Sequence, residues 1–223
     1  MIMPSLLQEA EAVSRRTVWE WLAAGGPVML PLAVCSVVAV ALVMERLLRL
    51  RKDSVLPTSV DEAIDLAQRG ERPRALQLAT QIDAPAARIL AAGLRRDTMP
   101  LLDIERAMED QAGKESDLMR GRIRALSIIA AVAPLLGLLG TVLGLENAFD
   151  RVVRVGMGKP EQLAAGINEA LITTIAGLWL AIPMMLVASY LNARVRGLMR
   201  AVDLRLSPVV DAIVAERRRP DAA

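Results

Sequence analysis

The 223-residue chain contains no histidine, one cysteine, and few aromatic residues (three Trp, one Tyr and one Phe). Without histidine it lacks the commonest zinc ligand and the usual general base near neutral pH. Cys35 alone can form neither an internal disulfide nor a CxxC metal or redox site. No nucleophile–base or metal-ligand constellation is visible, so we expect no enzyme, no metal and no cofactor. The net charge of +2 gives no reason to expect a nucleic-acid partner.

Charged residues are also missing from three long stretches, and these stretches define the fold class. They run from Leu22 to Met44, from Ala125 to Leu145, and from Ala170 to Leu191. About 20 apolar residues in a helix cross a hydrocarbon core of about 30 Å. The sequence therefore predicts an all-α integral membrane protein with three transmembrane helices and long cytoplasmic helical extensions.

The positions of the basic residues predict the orientation. Arginine and lysine cluster after the first stretch, before the second and after the third, and these positions belong on the cytoplasmic side. Trp19 and Trp21 suit an outer interface, and apolar anchoring within a local helix is the alternative. The predicted division is an external interfacial segment 1–21, transmembrane helix 22–48, cytoplasmic helical domain 49–123, transmembrane helix 124–146, short external loop 147–167, transmembrane helix 168–191 and cytoplasmic tail 192–223.

The segments between the spans are predicted to be helical. Ser59 and Glu62 have the spacing of a capping box, and Gly70 is a plausible helix stop. No proline lies between Pro100 and Pro134, so one helix can run from the cytoplasm into the second span. An apolar stripe follows the third span, and Pro208 is expected to interrupt it.

Small and hydroxyl residues occupy the second and third spans. The glycines are predicted to allow close helix packing, and the threonines and Glu169 to form a polar patch facing a cavity or a partner. Two alternatives stay open: a threonine can bond back to its own helix, and Glu169 can be a simple interfacial carboxylate. The packing residues are Gly137, Gly140, Gly144 and Gly177; the polar ones are Thr141, Thr173, Thr174 and Glu169.

Two segments resemble a known family. The run APLLGLLGTVLGLENAF, followed by GINEALITTIAGLWLAIP, resembles the core signature of the MotA/TolQ/ExbB proton channel family. The first span, including the Glu45–Arg46 pair at its end, resembles the shorter ExbB-like biopolymer transport members. The resemblance is clear over 124–191 and 25–50. Glu146, beside Asn147, departs from it, because many relatives are less acidic there.

The resemblance implies a function and partners. Family members form pentamers around a dimer of a single-span partner of the ExbD, TolR or MotB type, which carries a membrane aspartate that binds protons. In ExbB-type systems a TonB-like protein receives the force. Thr141, Thr174 and Glu169 match the family's pore positions, and Glu146 is a further possible pathway residue. Because the spans hold no Asp, Lys, Arg or His between their ends, the chain needs an acid from another chain.

The expected function is the proton-channel subunit of an ExbB/ExbD-like motor in the bacterial inner membrane, which couples the proton motive force to energised transport across the outer membrane. The N-terminus is expected in the periplasm and the C-terminus in the cytoplasm. A TolQ-like subunit for envelope maintenance and a passive membrane scaffold are the alternatives. A flagellar MotA-like stator usually has four spans, whereas three are counted here.

Overall fold

The computed structural model describes residues 24–155 and 160–218, and within these residues it contains helices and no strands. Seven helices are named in chain order: α1 (Met29–Arg49), α2 (Lys52–Val55), α3 (Ser59–Gln68), α4 (Arg72–Gln81), α5 (Pro85–Leu94), α6 (Leu101–Val155) and α7 (Pro160–Arg218). The all-α class predicted from the sequence is confirmed.

Three of these helices, α1, α6 and α7, are long and apolar enough to cross a membrane. Less than a third of each apolar stretch is buried within the chain, so large side chains such as Val37 and Trp179 stay exposed. Apolar surface of this extent is stable only against lipid or another apolar helix. The chain is therefore a multi-pass membrane protein with three spans.

The first compact unit comprises the described residues up to Ala41 together with Leu126–Val187. Val28, just before α1, and Met29 and Leu32 at its beginning pack on α6 and α7, where they share a core with Ala133 and Ala181. The two long helices run antiparallel here, because Ala133 of α6 meets Gly177 of α7, whereas Gly144, later in α6, meets Gly166, earlier in α7. This unit holds all the candidate pore and packing residues.

The second unit comprises Leu42–Ala125 and the described residues from Ala188 onward. Helices α3, α4 and α5 pack on one another, with small side chains such as Ala63, Ala75 and Ala87 fully buried between them. Outside the spans, Arg88 of α5 binds both carboxylate oxygens of the buried Glu115 on α6, at 2.7 and 2.8 Å. This paired contact fixes α5 against α6.

One helix stop was predicted correctly and one helix start was not. Gly70 has a φ of 84° and ends α3, with the Glu71 amide donating to the Leu66 carbonyl at 3.0 Å. The predicted capping box at Ser59 and Glu62 is wrong. The helix is preceded by Thr58, which makes no side-chain cap bond. A turn that begins at Pro57 satisfies the first amides instead, with the Val60 amide donating to the Pro57 carbonyl at 3.0 Å.

The predicted interruption at Pro208 is also wrong, since α7 continues to Arg218. Proline in a helix interior costs about 3 kcal/mol. Val209 and Ile213 continue the buried stripe beyond it, and each such side chain contributes about 1.5–3 kcal/mol on burial. Burial therefore outweighs the lost hydrogen bond.

The long helix predicted from the lack of proline is α6, which passes through Pro134 without ending. Most of the predicted loop 147–167 is helical, because α6 ends at Val155 and α7 begins at Pro160. The predicted interfacial segment 1–21, with Trp19 and Trp21, lies outside the described residues. The assignment of each segment to one side of the membrane stays a prediction.

Candidate functional site

The second and third spans meet along a seam of small residues. A methyl group added to Gly177 of α7 would lie 2.6 Å from the Ala133 carbonyl oxygen, and one added to Gly137 of α6 would lie 3.0 Å from the Thr173 carbonyl oxygen. A methyl group added to Gly144 would lie 3.0 Å from the Ala170 amide nitrogen and 3.1 Å from the Gly166 carbonyl oxygen. The backbones of the two helices therefore touch, as small residues allow in membranes.

Gly140 differs from the other seam glycines because its neighbour is the side chain of Thr173. Thr173 is 1% exposed, and its hydroxyl lies 2.8 Å from the Ala170 carbonyl of its own helix and 3.3 Å from the Gly137 carbonyl across the seam. Thr173 is thus buried inside the seam, where it joins α6 to α7.

Thr141 and Thr174 flank the seam and are half-buried. The Thr141 hydroxyl donates to the Leu138 carbonyl of its own helix at 2.6 Å, which is the local bond that the sequence left open. The Thr174 hydroxyl lies 3.3 Å from the Gly137 carbonyl of the other helix. Each hydroxyl keeps two acceptor lone pairs for a further partner.

These two threonines lie on the same edge of the seam, and α1 covers the other edge. Leu136 and Leu143 of α6 pack toward α1, while Thr141 lies on the opposite side of the glycine stripe at 100° per residue. On α7, Ala176 packs toward α1 and Thr174 lies on the opposite side. We call the α1-free edge the open edge.

Around the threonines the open edge is apolar and exposed. Leu138 and Leu145 of α6, and Leu178 and Met185 of α7, each expose between 39% and 62% of their surface. The open edge therefore offers two hydroxyl groups within an apolar surface, a combination that suits a helix bearing one polar group.

Glu169 lies on the covered edge, away from Thr141 and Thr174. Its carboxylate contacts Gly26, where the chain turns with a φ of 65° before α1 begins. The site residues predicted from the sequence are thus divided between two edges. Glu146 is exposed, and its position on α6 lies on the far side of the helix from the seam.

The sequence reasoning missed two residues of this arrangement. Gly166 contacts Ala148 and the Gly144 carbonyl. It could have been found from the sequence, because it lies three helical turns before Gly177 and therefore on the same face of the helix. Gly26, which accommodates Glu169, carried a weaker signal, because glycine pairs before a proline are common in turns of many kinds.

The open edge can bind and orient a partner group, but its own side chains cannot exchange a proton near neutral pH. Threonine hydroxyls can order water or accept a hydrogen bond from a protonated carboxyl group. No cluster of three or more potential metal-ligating side chains occurs among the described residues. Within residues 24–155 and 160–218, no titratable side chain accompanies the two threonines among those assigned to the open edge.

Comparison with known proteins assigns the family. The family model described as the MotA/TolQ/ExbB proton channel family matches residues 81–203. The chain is 37% identical over 175 residues to "Putative biopolymer transport protein ExbB-like 1" of Synechocystis sp., covering 73% of this chain and 66% of that protein. It is 31% identical over 167 residues to "Biopolymer transport protein exbB1" of Vibrio cholerae, covering 73% of each.

A third relative, the Methanothermobacter thermautotrophicus "Putative biopolymer transport protein ExbB homolog", is 32% identical, and the chain spans 64% of its length. The fold is similar to that in "Structure of C. jejuni MotAB", with a TM-score of 0.62, 18% identity, and coverage of 95% of this chain and 86% of that one. The helical topology, the small-residue seam and these matches agree. The chain belongs to the MotA/TolQ/ExbB proton channel family.

Proposed function

We propose that the chain is the proton-channel subunit of an ExbB/ExbD-like motor in the bacterial inner membrane, which couples the proton motive force to transport across the outer membrane. The observation that carries the proposal is the open edge. It places Thr141 and Thr174 together on an exposed apolar surface, and none of the described residues assigned to this edge is titratable. A proton route along this edge requires an acid from a partner.

The proposed partner is a single-span ExbD- or TolR-like protein whose membrane aspartate lies against the open edge. An isolated charge in hydrocarbon is costly, so the aspartate would need hydroxyl groups or water nearby. The chain would form a homo-oligomer, a pentamer by family resemblance, around this partner in the lipid bilayer. A TonB-like protein would receive the force.

Thr173 and Glu169 take other roles in this proposal. Thr173 would hold the seam closed, because its hydroxyl is buried between the helices. Glu169 would act at the outer rim, where its contact with Gly26 ties α7 to the start of α1. Glu146 remains a possible pathway residue only if another chain approaches its exposed face.

Replacing each open-edge threonine by valine tests the proposal. Thr→Val keeps the shape and removes the hydroxyl, and an interhelical hydrogen bond in membranes contributes roughly 0.6 kcal/mol. Thr141→Val and Thr174→Val should therefore assemble with the single-span partner at normal levels. We expect both variants to lose most proton-driven uptake activity, measured in cells that carry the complete complex.

Thr80→Val is the matched control, because the Thr80 hydroxyl makes the same local bond to the carbonyl three residues earlier, at 2.8 Å, on α4. It should assemble and function normally. Normal uptake by both open-edge variants would overturn the pore assignment and leave the fold and family standing. Failure to assemble would instead place these hydroxyls among the packing contacts.

The TolQ-like alternative has support in the relatives, since the chain is 36% identical over 93 residues to "Tol-Pal system protein TolQ" of Haemophilus influenzae. That match covers 42% of the chain, whereas the ExbB-named match from Vibrio cholerae covers 73%. Identifying the proteins that co-purify with the chain separates the two. A co-purifying TonB-like protein supports the proposal, and a co-purifying protein of a Tol-Pal-like system supports the alternative. A passive scaffold would co-purify with a partner yet give no proton flux.

A further inference from the structure

The end of α1 carries more positive charge than its own carboxylate balances. Arg46, Arg49 and Arg122 of α6 all contact the same atom, Glu45 Oε1, at 3.3, 3.3 and 2.7 Å. Three guanidinium groups thus share one carboxylate, which leaves an excess of two positive charges. We call these three arginines the arginine cluster.

Arg46 is the member with the poorest pairing. It is 4% exposed, and its guanidinium donates to Glu45 Oε1 at the long distance of 3.3 Å. Its Nε is buried and has no acceptor within the part of the chain that the structure describes. A guanidinium has five N–H donors, and a buried charge is costly unless it is fully paired. The cluster is therefore favourable for a further anion beside it.

A groove of about 530 Å³ opens next to the arginine cluster, between the end of α1 and α6. Its other end contains Arg88, whose guanidinium already binds Glu115 at 2.7 and 2.8 Å and Asp83 at 2.6 Å. That end holds two carboxylates for one arginine, so it has no positive charge to spare for an anion. The excess positive charge of the groove is concentrated at the end of α1.

Exposed leucines line the same groove. Leu48 of α1 is 58% exposed and Leu118 of α6 is 69% exposed. Helix α1 has 21 residues, which is about 30 Å, so the arginines at its end reach the membrane surface. Leucines exposed beside arginines suit a ligand that is anionic at one end and apolar at the other. A soluble phosphate compound would leave the leucines without a partner.

We propose that this groove binds an anionic phospholipid, with the headgroup phosphate on the arginine cluster and the start of an acyl chain against Leu48 and Leu118. Arginine pairs with phosphate in a bidentate geometry, and basic pockets beside spans recognise anionic headgroups. Arg49 and Arg122 supply the accessible donors, because their side chains are 66% and 56% exposed. The buried Arg46 supplies fixed charge behind them.

The test measures lipid binding by the purified full-length chain in detergent, using native mass spectrometry with phosphatidylglycerol or phosphatidylcholine. We expect the chain to retain phosphatidylglycerol in preference. Each basic residue near a membrane surface is worth about fivefold in binding, so Arg49→Gln combined with Arg122→Gln should weaken retention about thirtyfold. Arg74→Gln combined with Arg205→Gln is the matched control, since both residues are exposed and ion-paired outside the groove.

Several results would overturn the proposal. One is equal retention of the two lipids, and another is unchanged retention by the Arg49/Arg122 variant. Displacement of the lipid by millimolar inorganic phosphate would identify a free phosphate site instead. Loss of the oligomer with unchanged lipid preference would show that the cluster faces a second copy of the chain. Because lipid binding is read on the chain without its partners, the outcome is independent of the proposed channel function.

Discussion

At the scale of single residues, the closest approach between the two spans depends on glycine at a few positions. Next to Gly177 and Gly137 stand backbone atoms of the facing helix, and backbone atoms cannot rotate away as a side chain does. Gly113, Gly121 and Gly197 have open space where a side chain would stand, although they lie on the same two helices. On α6 and α7, glycine thus has a packing role at the seam and none at these three positions.

Gly177→Ala should destabilise the spans, because the added methyl group would lie 2.6 Å from the Ala133 carbonyl and force the helices apart. Overpacking of this kind costs about 1–3 kcal/mol. Gly197→Ala, on the same helix in open space, should instead stabilise by about 0.5–1 kcal/mol. Melting temperatures in one detergent measure both changes, and equal values for the two variants would contradict the role of the seam.

The residue roles could be predicted only in part from the sequence. The small-residue stripe on α6 followed from helical spacing, since close packing requires small residues whatever the partner. Helical spacing also separates Glu169 from Thr174, but which of them lies on the open edge did not follow, because that depends on which edge α1 covers. That choice is made by contacts such as Leu143 against α1, between segments far apart in the chain.

At the scale of helices, the contact between α5 and α6 includes one strong ion pair beside the apolar packing of Gly93 against Met108. Arg88 binds Glu115, and Gln111 adds a further hydrogen bond to that carboxylate at 2.8 Å. The hydrogen bonds from Arg88 lower the pKa of Glu115 below its ordinary value, although burial acts in the opposite direction. The carboxylate is therefore favoured in its ionised form in the folded chain.

Glu115→Gln should lower the free energy of unfolding by about 2 kcal/mol at neutral pH, a value reduced for the partial exposure of Arg88. A group with a lowered folded pKa stabilises above its unfolded pKa and loses that contribution as the pH falls through the folded value. The difference from the unmodified chain should therefore shrink as the pH falls below about 4.

Thermal melting between neutral and acid pH measures this difference, with Glu109→Gln as the control because Glu109 is exposed on the same helix. A difference for Glu115→Gln that stays constant down to acid pH would show that shape, and not ionisation, explains the loss. Equal melting of Glu115→Gln and the unmodified chain at neutral pH would contradict the ion-pair role altogether.

The extent of the helices was easier to predict than their starts. The cytoplasmic part of α6 was predicted from apolar residues at helical spacing with charges between them. No proline interrupts this stretch, so the helix was expected to continue into the span. The start of α3 was missed because Pro57 and Ser59 offer competing signals only two residues apart. The continuation of α7 past Pro208 was missed because local preference was overruled by burial of Val209 and Ile213.

At the scale of the whole molecule, the predicted orientation can be tested with single cysteines in a Cys35→Ala background. Asp83→Cys should resist an impermeant thiol reagent in whole cells, because the basic residues place that segment in the cytoplasm. Asp150→Cys should be labelled from outside. Both native side chains are exposed, at 99% and 52%, so the protein itself shields neither position from the reagent. Labelling of Asp83→Cys alone would invert the topology.

The contact of Glu169 with Gly26 has a consequence for biosynthesis. Thr173 and Gly137 are 36 residues apart, so the second and third spans can pair soon after both leave the ribosome. Gly26 and Glu169 are about 140 residues apart. At ordinary rates of translation, α1 is complete on the order of ten seconds before this part of α7 exists. The contact between the first and third spans therefore forms late, and until then the face of α1 that will meet α7 is exposed to lipid or to other membrane proteins.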